Sequence, residues 1–143
     1  MNRVLMTKLS DFVSIDSDGI EFMFNQRIFN PSLVLVLSEE FCPQCVETIV
    51  DKYLNCSGAK PSLYVVFNNI SLRELSFRQS VFKDIPCFSS LTSIEQSLSS
   101  HSLFYVDENR YILNAIFLDD VSHVGEDDFE YFFNNVNLQY NGI

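Results

Sequence analysis

Apolar positions along this chain follow two rhythms. Leu33-Val34-Leu35-Val36-Leu37 is an unbroken apolar run, entered through Asn30-Pro31-Ser32, and reads as a strand buried on both faces. Ser62-Leu63-Tyr64-Val65-Val66-Phe67 is a second run of the same kind. Between them Val46, Ile49, Val50, Tyr53 and Leu54 recur at three and four residues, which predicts a helix ending near 55–58. Asp16-Ser17-Asp18-Gly19 is turn chemistry ahead of an expected strand at Ile20-Glu21-Phe22-Met23-Phe24.

Downstream, Ser71 and Glu74 form a capping box opening a helix over 71–84, with Leu72, Leu75 and Phe82 on its inner side. Ile85-Pro86-Cys87-Phe88 reads as a short extended piece, because a residue before proline is pushed out of the helical region. Leu91, Ile94 and Leu98 outline a short helix. Leu103–Val106 and Tyr111–Phe117 predict a hairpin around Asp107-Glu108-Asn109-Arg110. Phe129, Phe132, Phe133 and Val136 form the stripe of a last helix, with acids at 126–128 where its dipole favours them. The order predicts an α/β protein: a central mixed sheet, helices on both faces and an extra N-terminal strand.

The 143 residues suit a single domain over 1–143, and 47% hydrophobic content with fourteen Phe and no Trp implies a Phe-rich core. A net charge of −10 removes the basic footprint that nucleic acid or an anionic membrane requires, and favours partners with a basic patch. No stretch reaches membrane-span length. The opening Met1-Asn2-Arg3-Val4-Leu5-Met6-Thr7-Lys8 lacks an apolar signal region, so the expectation is cytoplasmic, or exported if an upstream signal was removed.

Cys42-Pro43-Gln44-Cys45 stands between the first buried run and its helix. That position places Cys42 at a helix N-terminus, where unpaired N–H groups and the dipole stabilise a thiolate. Pro43 suits the first helical position, where a missing N–H costs nothing. The chemistry expected is a redox dithiol, with Cys42 as nucleophile and Cys45 as resolving thiol and no cofactor. The plainer reading is a pair of inert core thiols. Glu39, Glu40 and Glu47 oppose the thiolate by like-charge repulsion and should make the pair less oxidising.

The arrangement from Asp18-Gly19 through Asn30-Pro31-Ser32 and 33–37 to Phe41-Cys42-Pro43-Gln44-Cys45, resumed at Leu103–Asn109, resembles the thioredoxin fold. More narrowly it resembles TlpA/ResA-type thiol–disulfide oxidoreductases, relatives of the peroxiredoxins, over about residues 16–137. The resemblance implies disulfide exchange on protein thiol or disulfide substrates, or with a reductase partner. It implies a substrate-binding surface at Phe41, Pro43, His101 and Ser102. The family places a cis-proline just before the strand at 103–106, which here is His101; a cis bond before a non-proline residue costs about 2.5–4 kcal/mol. A trans bond with a reshaped groove, or a register shifted by a residue, is therefore expected. The peroxiredoxin pattern, with proline and hydroxyl ahead of the reactive Cys, has Leu35 and Glu39 at those places, so peroxidase activity is not expected.

A second function class stays open: a non-catalytic binding module, with Cys42, Cys45 and His101 as a Cys2His metal site. His101 as a plain loop residue is the simplest view of it. His123 is assigned no chemistry. Cys56 and Cys87 read as incidental buried thiols, with a bridge between them as the alternative.

Overall fold

The computed structural model describes residues 7–28, 30–37, 43–56, 59–91, 101–117 and 126–141, with the backbone alone for 43–45, 126 and 127. Seven strands form one sheet in the order β2-β1-β5-β4-β3-β6-β7. Both apolar runs become its centre, as β3 (Ser32–Leu37) and β4 (Ser62–Asn68), paired in parallel from Ser32↔Ser62 to Leu37↔Phe67. Parallel pairing needs a crossover, and α1 (Pro43–Asn55) supplies it. A second crossover through α2 (Leu72–Phe82) places β5 (Cys87–Ser90) parallel to β4 on its other side.

The hairpin forms as expected, with β6 (Ser102–Val106) antiparallel to β3 and β7 (Ile112–Phe117) at the sheet edge. Its turn is held by the Asp107 carboxylate, which accepts from the N–H groups of Asn109 and Tyr111, both at 2.9 Å. The expected N-terminal strand is β2 (Glu21–Met23), but it has a partner the pattern did not announce. β1 (Val13–Ile15) forms a hairpin with β2 and joins the sheet by pairing with β5. Gly19 sits in the turn between them at φ +80°, a conformation side chains with a Cβ rarely take. Phe24 leaves the strand for a short 3-10 turn, Phe24–Gln26.

Strand alternation divides the core in two. Leu33, Leu35, Leu63, Val65 and Tyr105 face one side, where Val46 and Ile49 of α1, Leu75 of α2 and the Phe129/Phe132/Phe133/Val136 stripe of α3 (Glu126–Tyr140) pack together. Val34, Val36, Val66 and Phe104 face the other, covered by Leu9, Phe12, Phe22, Phe24 and Ile28. The three described helices thus share one face. The short helix expected around 91–98 lies, from residue 92 on, outside the described residues.

Two apolar positions depart from the expected stripes. Leu54 is 58% and Leu72 44% exposed, although periodicity assigned both to the core. Ser71 caps α2 by accepting the Glu74 N–H at 3.1 Å, but the Glu74 carboxylate is taken up by Arg78 at 2.9 Å.

Candidate functional site

β3 is flanked by β4 and β6, so its C-terminal end is the middle of the sheet's edge. The strand stops at Leu37 and α1 starts at Pro43, which leaves residues 38–42 to cross from sheet to helix. The Cys-Pro-Gln-Cys motif therefore straddles the start of α1. Pro43 is the first helical residue, as its missing N–H allows, and Cys45 belongs to the first turn. Phe41 and Cys42 lie outside the described residues, as does His123; for Pro43 and Cys45 the backbone alone is described.

The β3–β6 register brings a second segment to the same edge. Val36 pairs with Ser102, the first residue of β6, so the chain at 101–102 approaches the end of β3 from which 38–42 depart. Ser102 is fully buried and His101 half-buried. No peptide bond among the described residues is cis, and Ser100, on the other side of the bond before His101, lies outside them.

A seam of buried polar groups runs across this edge from the other direction. Ser14 pairs with Ser90 in the sheet, and the Ser90 hydroxyl bonds the Asn68 side-chain oxygen at 3.1 Å. Ser89 Oγ accepts from the Ile70 N–H and donates to its carbonyl, both at 2.9 Å. The Ser14 hydroxyl is buried without a partner. Serine carries little sequence signal for such burial, and none of these positions stood out in the chain.

The other two cysteines differ in burial. Cys87 is fully buried, and burial pushes its pKa up to about 12. Cys56, half-buried at the end of α1, donates to the Lys52 carbonyl at 3.2 Å. Both are free, so the alternative of a bridge between them is not realised. Among the described residues no three His, Cys, Asp or Glu side chains cluster as a metal site, and the Cys42/Cys45/His101 set has side chains outside them.

On the helical face a groove of about 600 Å³ opens between α1 and α2, lined by Val46, Val50, Leu54, Val81, Phe82 and Ile85 with charged residues at its rim. The sequence pattern missed it. Its signal was an apolar pair, Phe77 and Val81, off the Leu75/Phe82 side of α2; both are more than half exposed.

No family model matches the chain, and no curated protein matches it. Solved structures do. Peroxidoxin BcpB from Mycobacterium tuberculosis superposes with a TM-score of 0.66 at 12% identity, over 95% of this chain and 97% of that one. Arabidopsis thaliana ScoI with copper bound gives 0.67 at 10% identity, over 94% and 100%. A candidate protein disulfide isomerase from Bacteroides thetaiotaomicron gives 0.66 at 14% identity, over 96% and 90%. The chain has the thioredoxin-like fold that its strand order and motif position led us to expect.

Proposed function

We propose that the protein is a thiol–disulfide oxidoreductase that acts on protein disulfides through Cys42 and Cys45. The observation that carries this reading is the position of the motif, at the start of α1 and at the end of a central buried strand. A helix start offers free N–H groups and the positive end of the dipole to a thiolate. Reactive cysteines occur in such electropositive places, while structural ones such as Cys87 have their pKa raised by burial.

The exchange proceeds in two displacements. The Cys42 thiolate attacks one sulfur of a substrate disulfide; a mixed disulfide forms and the other substrate sulfur leaves as a thiolate. The Cys45 sulfur then attacks Cys42 Sγ and breaks its bond to the substrate; the second substrate sulfur leaves and takes the Cys45 proton, while the first is protonated from solvent. The substrate gains two electrons and becomes a dithiol, and Cys42–Cys45 becomes the disulfide. Phe41, Pro43 and His101 are assigned to the surface that receives the substrate; Ser102, also expected there from the sequence, is fully buried and is assigned to the sheet edge beneath that surface. The β3–β6 register supports this by bringing 101–102 to the edge where the motif begins.

A redox titration in glutathione buffers tests the proposal. Wild type should show one reversible two-electron transition and Cys42→Ser none. A midpoint near about −270 mV would make the protein a reductant, one near about −120 mV an oxidant. The oxidoreductase reading fails if no intramolecular bridge forms across the range.

The same register favours a second reading, in which Cys42, Cys45 and His101 hold a metal ion. Two thiolates and one imidazole suit a soft or borderline ion such as Cu(I) or Zn(II) and leave a position open. Metal analysis separates the two readings. Stoichiometric metal lost in His101→Ala, together with an absent dithiol transition, would establish the binding module.

A further inference from the structure

We propose that the groove between α1 and α2 is a docking site for a basic amphipathic helix of a protein partner. The inference deepens the oxidoreductase reading and rests on it only for the identity of the partner as substrate or reductase.

The groove is apolar where a buried helix would sit. Val46, Val50 and Leu54 recur every fourth residue along α1, and Val81 and Phe82 face them from the end of α2. Leu54 and Val81 are 58% and 57% exposed, and Phe77, also 58% exposed, extends the apolar strip on the outside of α2. These three side chains project from the two helices that border one cleft, whereas scattered apolar residues at a surface are ordinary. The wall from Val46 to Leu54 spans about 12 Å, room for two or three apolar anchors at helical spacing on the partner.

The rim selects the partner's charge. Glu47 and Asp51 stand one turn apart on α1, both exposed, and Asp84 closes the far end. Carboxylates at i and i+4 repel each other, a repulsion that a cation between them relieves. On the opposite side Arg78 is held by Glu74 at 2.9 Å, so its charge is already matched within α2. Lys83 is the other cation of the lining. The balance is acidic, in line with the net charge of −10, which also opposes occupation of the groove by a second copy of the chain. A helix with an apolar stripe flanked by Lys or Arg meets both the floor and the rim. The lining begins at Val46, one residue past Cys45 in the chain, so a helix seated in the groove runs along the helix that the motif opens.

The test uses a cysteine-free, fluorescein-labelled peptide with a leucine stripe at i, i+3, i+4 and i+7 and lysines on both flanks. Binding is read by fluorescence anisotropy and by photocrosslinking from benzophenone placed at position 81. The peptide should bind saturably to the folded full chain. Affinity should fall at least about tenfold in Leu54→Glu and Val81→Glu, and for a peptide with glutamates replacing its lysines; Asp51→Lys should weaken binding and flatten its salt dependence. The substituted side chains are exposed, and unchanged circular dichroism of each variant establishes that loss of binding is not loss of fold. Leu54→Glu and Val81→Glu should leave the reduction potential of the Cys42–Cys45 pair unchanged, so this proposal and the redox reading stand or fall separately. The proposal is overturned if binding is not saturable, if the groove variants bind as wild type does, or if sedimentation shows a dimer that Val81→Glu dissociates.

Discussion

Cys87 shows how one buried atom couples the fold to pH. Its side chain lies among Leu75, Ile85 and Val65 on the helical side of the sheet, and the absence of solvent moves its pKa from 9.0 to about 12. Between those values the unfolded chain has lost a proton that the folded chain retains. The unfolded state therefore binds fewer protons, and stability falls as pH rises, by about 1.4 kcal/mol per pH unit for one such group. Below about pH 9 the thiol is neutral in both states and contributes no slope. Urea unfolding at successive pH values should show this decline in wild type and a shallower one in Cys87→Ala. Tyr105, raised from 10.0 to about 12 chiefly by burial, should keep some slope in that variant above about pH 10. An identical pH dependence in both proteins would mean that the Cys87 thiol already reaches solvent in the folded state. That Cys87 is a buried thiol was legible in the chain, where it lacks the C-x-x-C setting of Cys42; the size of its shift was not, because it depends on which side chains pack around it.

At the scale of elements, the connection from α2 to β5 hangs on Gln79. Its side-chain nitrogen donates to the carbonyls of Lys83 and Ile85, both at 2.9 Å, and its oxygen accepts the Cys87 N–H at 2.8 Å. Cys87 is fully buried, so Gln79→Ala leaves a strand N–H without water or partner, at a cost of about 1–3 kcal/mol, and removes two further bonds. Ser71→Ala removes one exposed helix cap, worth about 1 kcal/mol. Gln79→Ala should thus be the more damaging in denaturant titrations, and equal losses would reject its role as the staple of this connection. The contrast marks where sequence reasoning stops. The Ser71 cap was legible because capping acts over three residues. So were β3, β4, the hairpin and the Phe stripe of α3, whose apolar spacing is set by local geometry. Gln79 was not, since its partners lie across a turn whose path depends on β5 joining β4. Val13-Ser14-Ile15 was missed for the same reason: a three-residue strand carries almost no pattern, and its pairing with β2 and β5 is what makes it one. The motif at 42–45 could be placed because the junction of an apolar run and a helical stripe is local. Approach of 101–102 to that junction depended on an antiparallel register, which the family resemblance supplied and local pattern did not.

For the molecule as a whole, the charge of −10 is the property any reactant meets first. Its field acts on top of the local arrangement, with Glu39 and Glu40 just before the motif and Glu47 just after it in the chain. If the dithiol is the working group, its encounters with charged disulfides carry a signature of that field. Cystamine is cationic and glutathione disulfide anionic, and both are small enough to reach an exposed sulfur. Their intrinsic reactivities differ, so a single rate ratio proves nothing. The ratio's dependence on salt does, because screening changes the protein's field and leaves sulfur chemistry alone. At low ionic strength the reduced protein should favour cystamine by about threefold or more over the ratio seen at 1 M salt, where the screening length has shrunk to about 3 Å. Stopped-flow oxidation of the reduced protein by each disulfide gives the measurement. Neutralising the groove rim with Asp51→Asn should change the ratio little, since one charge is a small part of the total. Glu47→Gln, two residues past Cys45 in the chain, should change it more. A ratio independent of salt would show that the acidic surface does not reach the sulfur, and that partner choice is left to contact surfaces such as the α1–α2 groove.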